Sequence, residues 1–270
     1  MPIPLIHSVK TIEKRYSTGE KPVLVVCSDK KSYICKYIQF SAAAYKLICE
    51  LIGSQMAKAW KINTPDTAFV QIYSQHWLSA MQLPNSMLAF GSCILPSVVD
   101  ITPSTYLQIV PEKKQLYQLL KIALFDFWIA NEDRNINNAN MLYDVENLDI
   151  ISIDYGCILN TATFDFPLSQ LTTTDTILFS GIFSHLIRNT SEKDLWEKVN
   201  VLEKEFQVYI KESRRQVKFI KDAIPDMWNI DTLMVDNKMS ELFEPRWLED
   251  IWRNFVECIK DNIKNGKIEI

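Results

Sequence analysis

The chain has 270 residues, 47% of them hydrophobic, with 29 basic against 33 acidic side chains and a formal charge of -4. A chain of that length buries one substantial core, or two lobes packed together, without disulfides or structural metals. The balanced charge, with no long run of one sign, speaks against a nucleic-acid binder, and the longest apolar stretch, broken by Asp126, is too short to span a bilayer.

Residues Met1 to His7 lack the basic start and the run of about 7 to 15 apolar residues of a secretory signal, so a cytoplasmic protein is expected. The turn Tyr16-Ser17-Thr18-Gly19-Glu20-Lys21-Pro22 then leads into two β-rich runs, 22–27 and 32–38, joined by the polar turn Ser28 to Lys31. This predicts a hairpin. Residues 42–60 set Tyr45, Ile48, Cys49, Ile52 and Met56 at helical spacing, and Asn63-Thr64-Pro65 stops that helix. Residues 66–110, interrupted by prolines, read only as irregular strands and connections.

From Pro111 to Ala130 the chain is apolar on a helical period and ends abruptly in the polar string Asn131 to Asn140. A buried helix thus delivers a polar loop. Met141 to Tyr143 and Ile150 to Ile153 predict a second hairpin through a turn near Asn147. Beyond residue 190, helices are predicted at 192–222, 238–243 and 246–264, the first capped by Ser191. The order is a β-rich first part and a mostly α-helical second part.

The six cysteines never form Cys-x-x-Cys and read as reduced core residues, while the three isolated histidines offer no zinc spacing. The six glycines stand more than four residues apart, which excludes Gly-x-Gly-x-x-Gly, the Walker loop and the Gly-x-Ser-x-Gly elbow. Any phosphate cradle must therefore use a single glycine. The turn at Ser17, Thr18 and Gly19 is the candidate, with backbone N–H groups and two hydroxyls; an ordinary loop is the alternative.

Phosphoryl transfer needs a carboxylate at the attacking hydroxyl and oxygen ligands for a divalent ion. Asp133 and Asn138 have the spacing of a catalytic Asp and a metal-binding Asn, and Asp154-Tyr155-Gly156 matches an Asp-x-Gly whose Asp holds magnesium. The second hairpin brings its two ends to roughly 5 Å of each other. Spacing alone is weak, since Asp126 and Asn131 share it inside an apolar helix, and a solvated loop remains the competing reading. Lys36, on the strand face of Ile34 and Ile38, points inward and needs an anionic partner. Glu50 in the following helix is the candidate; Lys46 and Lys58 read as surface charges.

The run Asp126-Phe127-Trp128-Ile129-Ala130-Asn131-Glu132-Asp133-Arg134, then Asn138-Ala139-Asn140-Met141-Leu142 and Ile153-Asp154-Tyr155-Gly156, resembles the HipA-like kinases, in particular the small stand-alone HipA-like domain proteins of bacteria. Thr18-Gly19, Lys36, Glu50 and Ile224-Pro225-Asp226-Met227-Trp228 extend the resemblance over nearly the whole chain. It implies an α+β, protein-kinase-like two-lobed fold, with an N-lobe over 1–100 and a C-lobe over 101–270. It also implies a Ser/Thr protein kinase using ATP and Mg²⁺. Asp133 would be catalytic, Asn138 and Asp154 would hold the metal, and Lys36, Glu50, Ser17, Thr18 and Gly19 would serve the nucleotide. Some relatives are toxins restrained by a partner antitoxin, and some autophosphorylate in the phosphate loop, here at Ser17 or Thr18.

Departures from eukaryotic protein kinases are the missing glycine-rich loop, the absent Ala-Pro-Glu, and Asn131-Glu132 where His-Arg would precede the catalytic Asp. A small-molecule kinase of aminoglycoside-phosphotransferase type, nucleotide transfer on the same fold, and a non-catalytic pseudokinase module stay open. The sequence names no substrate.

Overall fold

The computed structural model describes residues 2–39, 43–81, 83 and 85–264. Its first part is a six-stranded sheet in the order β1-β5-β6-β4-β3-β2, built from β1 (Leu5–His7), β2 (Lys14–Arg15), β3 (Val23–Val26), β4 (Ser32–Lys36), β5 (Thr67–Ile72) and β6 (Met87–Cys93). All pairs are antiparallel except β1 with β5. The expected hairpin is β3 and β4, in the register Val23 opposite Cys35 and Val26 opposite Ser32. Burial alternates along both strands: Val23, Val25, Tyr33 and Cys35 enter one apolar cluster with Ala68, Val70 and Ala89. The opposite face of β4 carries Lys36 toward helix α1 (Ala43–Ala59), as a period of two requires.

The stretch that the sequence left unreadable supplies β5 and β6, and also β7 (Val98–Asp100), which lies far along the chain from its partners in a second sheet. That sheet has the order β7-β8-β9 and contains the second hairpin, β8 (Met141–Asp144) and β9 (Asp149–Ser152). Its turn is organised by Asp144, whose Oδ1 accepts from the backbone N–H of Glu146 and Asn147. Helix α2 (Lys113–Ile129) follows β7 in the chain, packs on β9, and is buried on almost every side from Leu119 onward.

After the hairpin come α3 (Ile158–Ala162), α4 (Gly181–Ile187), α5 (Glu192–Ala223), α6 (Thr232–Glu241) and α7 (Pro245–Lys264). Ser191 caps α5 by accepting from the N–H of Asp194, as expected, and Pro245 starts α7 where its missing N–H costs nothing. Helix α6 begins six residues ahead of the predicted 238 because Asp231 caps it, accepting from Leu233 and Met234. Helix α4, with Ser180 as its cap, was not anticipated.

The larger core unites α1 with the helical half. Trp60, just past α1, stacks on Trp128 of α2 at 5.3 Å and on Tyr209 of α5 at 5.1 Å, and donates to Ser213 at 3.0 Å. Trp228 packs edge-on to Phe69 and donates to the carbonyl of Leu88, joining the chain after α5 to the six-stranded sheet. Helix α1 is thereby fixed to the element that carries the polar loop. No helix among the described residues is long and apolar enough to cross a membrane.

Candidate active site

Three elements converge on Lys36. Its ammonium lies 2.5 Å from Glu50 of α1, 2.7 Å from Asp154 after β9, and 2.6 Å from Glu20 in the turn between β2 and β3. Glu50 is almost fully buried and uses both oxygens, one for Lys36 and one accepting from the backbone N–H of Tyr155 at 3.2 Å. Asp154 adopts φ 58°, a left-handed conformation that costs a non-glycine residue about 1–2 kcal/mol and is found where the surroundings over-determine it. Gly156 leaves room for the cluster: a Cβ there would lie 3.1–3.4 Å from Glu20, Glu50 and Lys36.

Burial alone would lower the Lys36 pKa, but Glu50, Asp154 and Glu20 outweigh it and hold the amine well above the ordinary lysine value. Burial pushes Glu50 up to about 7 against the pull of Lys36. Asp154 also feels burial, yet Lys36 and its hydrogen bonds hold it below the usual carboxylate value. Three carboxylates around one ammonium are more anion than it can neutralise; the most buried of them, Glu50, is the natural place for a proton.

The loop beyond α2 is built around a buried network. The helix ends at Ala130 in a left-handed conformation, φ 51°, without the glycine that usually stands there. Asn131 donates to Asp126 at 2.9 Å, and the wholly buried Arg134 pairs with the same carboxylate. Arg134 also donates to the carbonyls of Ile153 at 2.9 Å and Asn140 at 3.4 Å. One guanidinium therefore joins α2 to both sides of the hairpin mouth. Asp126 and Asn131, whose spacing looked coincidental, are the supports of this loop. Burial pushes Asp126 up to about 6, opposed by Arg134 and Asn131.

Asp133 stands half-buried on this frame, with its Oδ2 accepting from Asn140 Nδ2 at 2.8 Å. The hairpin register sets Met141 against Ser152, and Ile153 donates to the Asn140 carbonyl, so Asn140 is the asparagine beside Asp154's strand end. Asn138 lies two residues outside that register, exposed, with its carbonyl accepting from the N–H of Asn135. Counting back from the turn at Asp144, rather than forward from Asp133, leads to Asn140 as the residue in register there. The neighbouring Glu132 accepts from Asn160 and Thr161 at 2.8 Å each, holding α3, whose Leu159 to Ala162 are all left-handed.

Ser17, Thr18 and Gly19 are exposed on the turn between β2 and β3, and a Cβ at Gly19 would meet nothing within 4 Å. The residue of that turn that reaches the site is Glu20. Lys46, read as a surface charge, faces it at 3.2 Å. Neither gave a signal in the sequence, because each meets its partner only through the fold.

No curated protein matches the chain by sequence. Among solved structures, the Golgi casein kinase aligns over 96% of this chain and 74% of its own, with 11% identity and a TM-score of 0.51; it is also known with Mn/ADP bound. The Helicobacter pylori proinflammatory kinase CtkA aligns over 95% of this chain and 99% of its own, with 13% identity and a TM-score of 0.56. These likenesses establish an α+β, protein-kinase-like fold with a β-sheet first part and a helical second part. The family model of the HipA-like kinases matches residues 9–254, and with that span the chain belongs to the HipA-like kinase family, a family of kinase-type phosphotransferases.

Proposed function

We propose that the protein is an ATP- and Mg²⁺-dependent protein kinase acting on serine or threonine. The observation that carries this reading is the convergence of Lys36, Glu50 and Asp154 beside a loop that presents Asp133. Lys36, positioned by Glu50, would bind the nucleotide phosphates. Asp154 and Asn140 supply hard oxygen donors of the kind Mg²⁺ takes, and Asn140, its Nδ2 committed to Asp133, keeps its carbonyl oxygen for that purpose. A bound Mg²⁺ would neutralise charge on the phosphates. Asp133 would orient the substrate hydroxyl and accept its proton. The assembled ion pairs speak for catalysis over a pseudokinase role.

The test is incubation of the purified protein with ATP and Mg²⁺, followed by a search for phosphate on itself, at Ser17 or Thr18, and on proteins of a bacterial lysate. Asp133→Asn keeps size but removes the basic oxygen, so transfer should fall about 10²-fold or more while ATP binding persists. Full transfer by that variant would displace the reaction centre from Asp133. The cellular half of the reading is a cytoplasmic toxin held by an antitoxin: expression should slow bacterial growth, and Asp133→Asn should abolish the effect. Growth arrest by the variant would separate toxicity from phosphoryl transfer.

A further inference from the structure

The Lys36 ammonium donates hydrogen bonds to Glu50 and Asp154 and forms an ion pair with a third carboxylate, Glu20, at 2.6 Å. Glu50 and Asp154 come from the packed frame. Glu20 comes from a turn, and it behaves as a small tethered anion. Its other oxygen lies 3.2 Å from Lys46, one helical turn ahead of Glu50 on α1, so a single carboxylate bridges the two cations. Its backbone is held as well, since the Gln39 side-chain amide donates to the Glu20 carbonyl. The cavity left between Gly19, Glu20, Lys36, Tyr37, Gln39, Lys46 and Leu47 is about 70 Å³, whereas sites for drug-sized ligands span about 300–1,000 Å³.

We propose that Glu20 is a built-in competitor for nucleotide phosphates: it occupies Lys36 and Lys46, and the turn between β2 and β3 must lift before ATP can engage either. Lys46 is then a second phosphate-binding cation, freed together with Lys36. The inference rests on the nucleotide reading above and adds a gate to it. An anion tethered within reach of its site acts at high effective concentration, and apparent affinity falls by the fraction of molecules in the open state. Removing the charge raises that fraction.

The experiment is calorimetric titration of the full chain with ATP and Mg²⁺, comparing the parent with Glu20→Gln, Gln39→Ala and Lys36→Ala. Glu20→Gln should bind tighter by about tenfold or more, and Gln39→Ala, which frees only the backbone of the turn, by less. Lys36→Ala should lose binding. Unchanged or weaker binding by Glu20→Gln, with normal binding by the parent, overturns the gate and leaves the nucleotide reading standing. Weaker binding specifically would make Glu20 a ligand of the divalent ion, since its carboxylate, that of Glu50 and that of Asp154 have oxygens within 4.8 Å of one another. Absence of binding by both parent and Glu20→Gln would remove the nucleotide reading and the gate with it.

Discussion

Gly53 stands so close to Tyr155 that a Cβ at the glycine would lie 2.3 Å from Tyr155 Cβ and 2.5 Å from its ring. This contact sets how near α1 comes to the Asp154-Tyr155-Gly156 segment. Glu50 is one turn back on the same helix face, and it reaches Lys36 and the Tyr155 N–H only at that separation. Tyr155 cannot yield easily, because its hydroxyl donates to Ser152 at 2.8 Å and the Arg134 guanidinium lies over its ring.

Gly53→Ala is therefore expected to destabilise the protein although alanine favours a helix by about 1 kcal/mol. Overpacking at a site with no room costs typically about 1–3 kcal/mol, and relief comes only by pushing α1 outward. Urea unfolding should show a net loss of stability, and phosphate transfer should fall with it. A more stable variant would mean that Tyr155 moves aside freely.

Lys36 and Glu50 should be energetically coupled. Lys36→Ala leaves the buried Glu50 without its cation, a penalty that the double change does not incur, so the double variant should cost less than the sum by about 0.5–3 kcal/mol. The readout is a double-mutant cycle on unfolding free energy. Additive losses would show that Glu20 and Asp154 hold Lys36 without help from Glu50.

What was legible in the sequence follows from the range of each interaction. Both hairpins, α1, α2 and α5 declare themselves by local period, and Ser191 by its capping pattern. Lys36 was placed correctly by a period of two, and Glu50 by its position in the next helix, because strand and helix are consecutive. Strands β5, β6 and β7 were obscured by proline-interrupted connections and by pairing partners distant along the chain. That Asn140 and not Asn138 stands at the hairpin mouth was not legible, because a fixed spacing from Asp133 ignores loop length, while the strand register does not. Arg134, Glu20 and Lys46 act through partners that only the assembled fold provides.

The pair of Asp126 and Arg134 predicts a pH dependence. Burial raises the folded-state pKa of Asp126 from 3.8 to about 6, so between about pH 4 and pH 6 the folded protein holds a proton that the unfolded chain has released. Stability from this group is complete below the lower value and is lost as pH rises through the upper one, a change on the order of 3 kcal/mol. Asp126→Asn lacks the titration, so over that window it should lose less stability than the parent in urea unfolding. Parallel profiles would mean that Arg134 keeps Asp126 ionised throughout.

Asn140 and Asn138 can be separated by substitution, provided the backbone is respected. Asn140 has φ 44°, which asparagine and glycine adopt readily and alanine does not, so Asn140→Gly removes the side chain without forcing the turn. If Asn140 is the metal-binding asparagine, that variant should lose two functions together: an oxygen donor near Asp154 and the amide that steadies Asp133. Transfer should fall by about 10²-fold or more, and raising Mg²⁺ should recover part of it by mass action. Asn138→Ala, at an exposed position whose backbone carbonyl accepts from Asn135, should change transfer little and stability by no more than about 0.5 kcal/mol. The discriminating measurement is the Mg²⁺ dependence of transfer in both variants. A rightward shift confined to Asn138→Ala would return the metal to the asparagine five residues after Asp133, and would require the loop to fold inward by two residues when it binds.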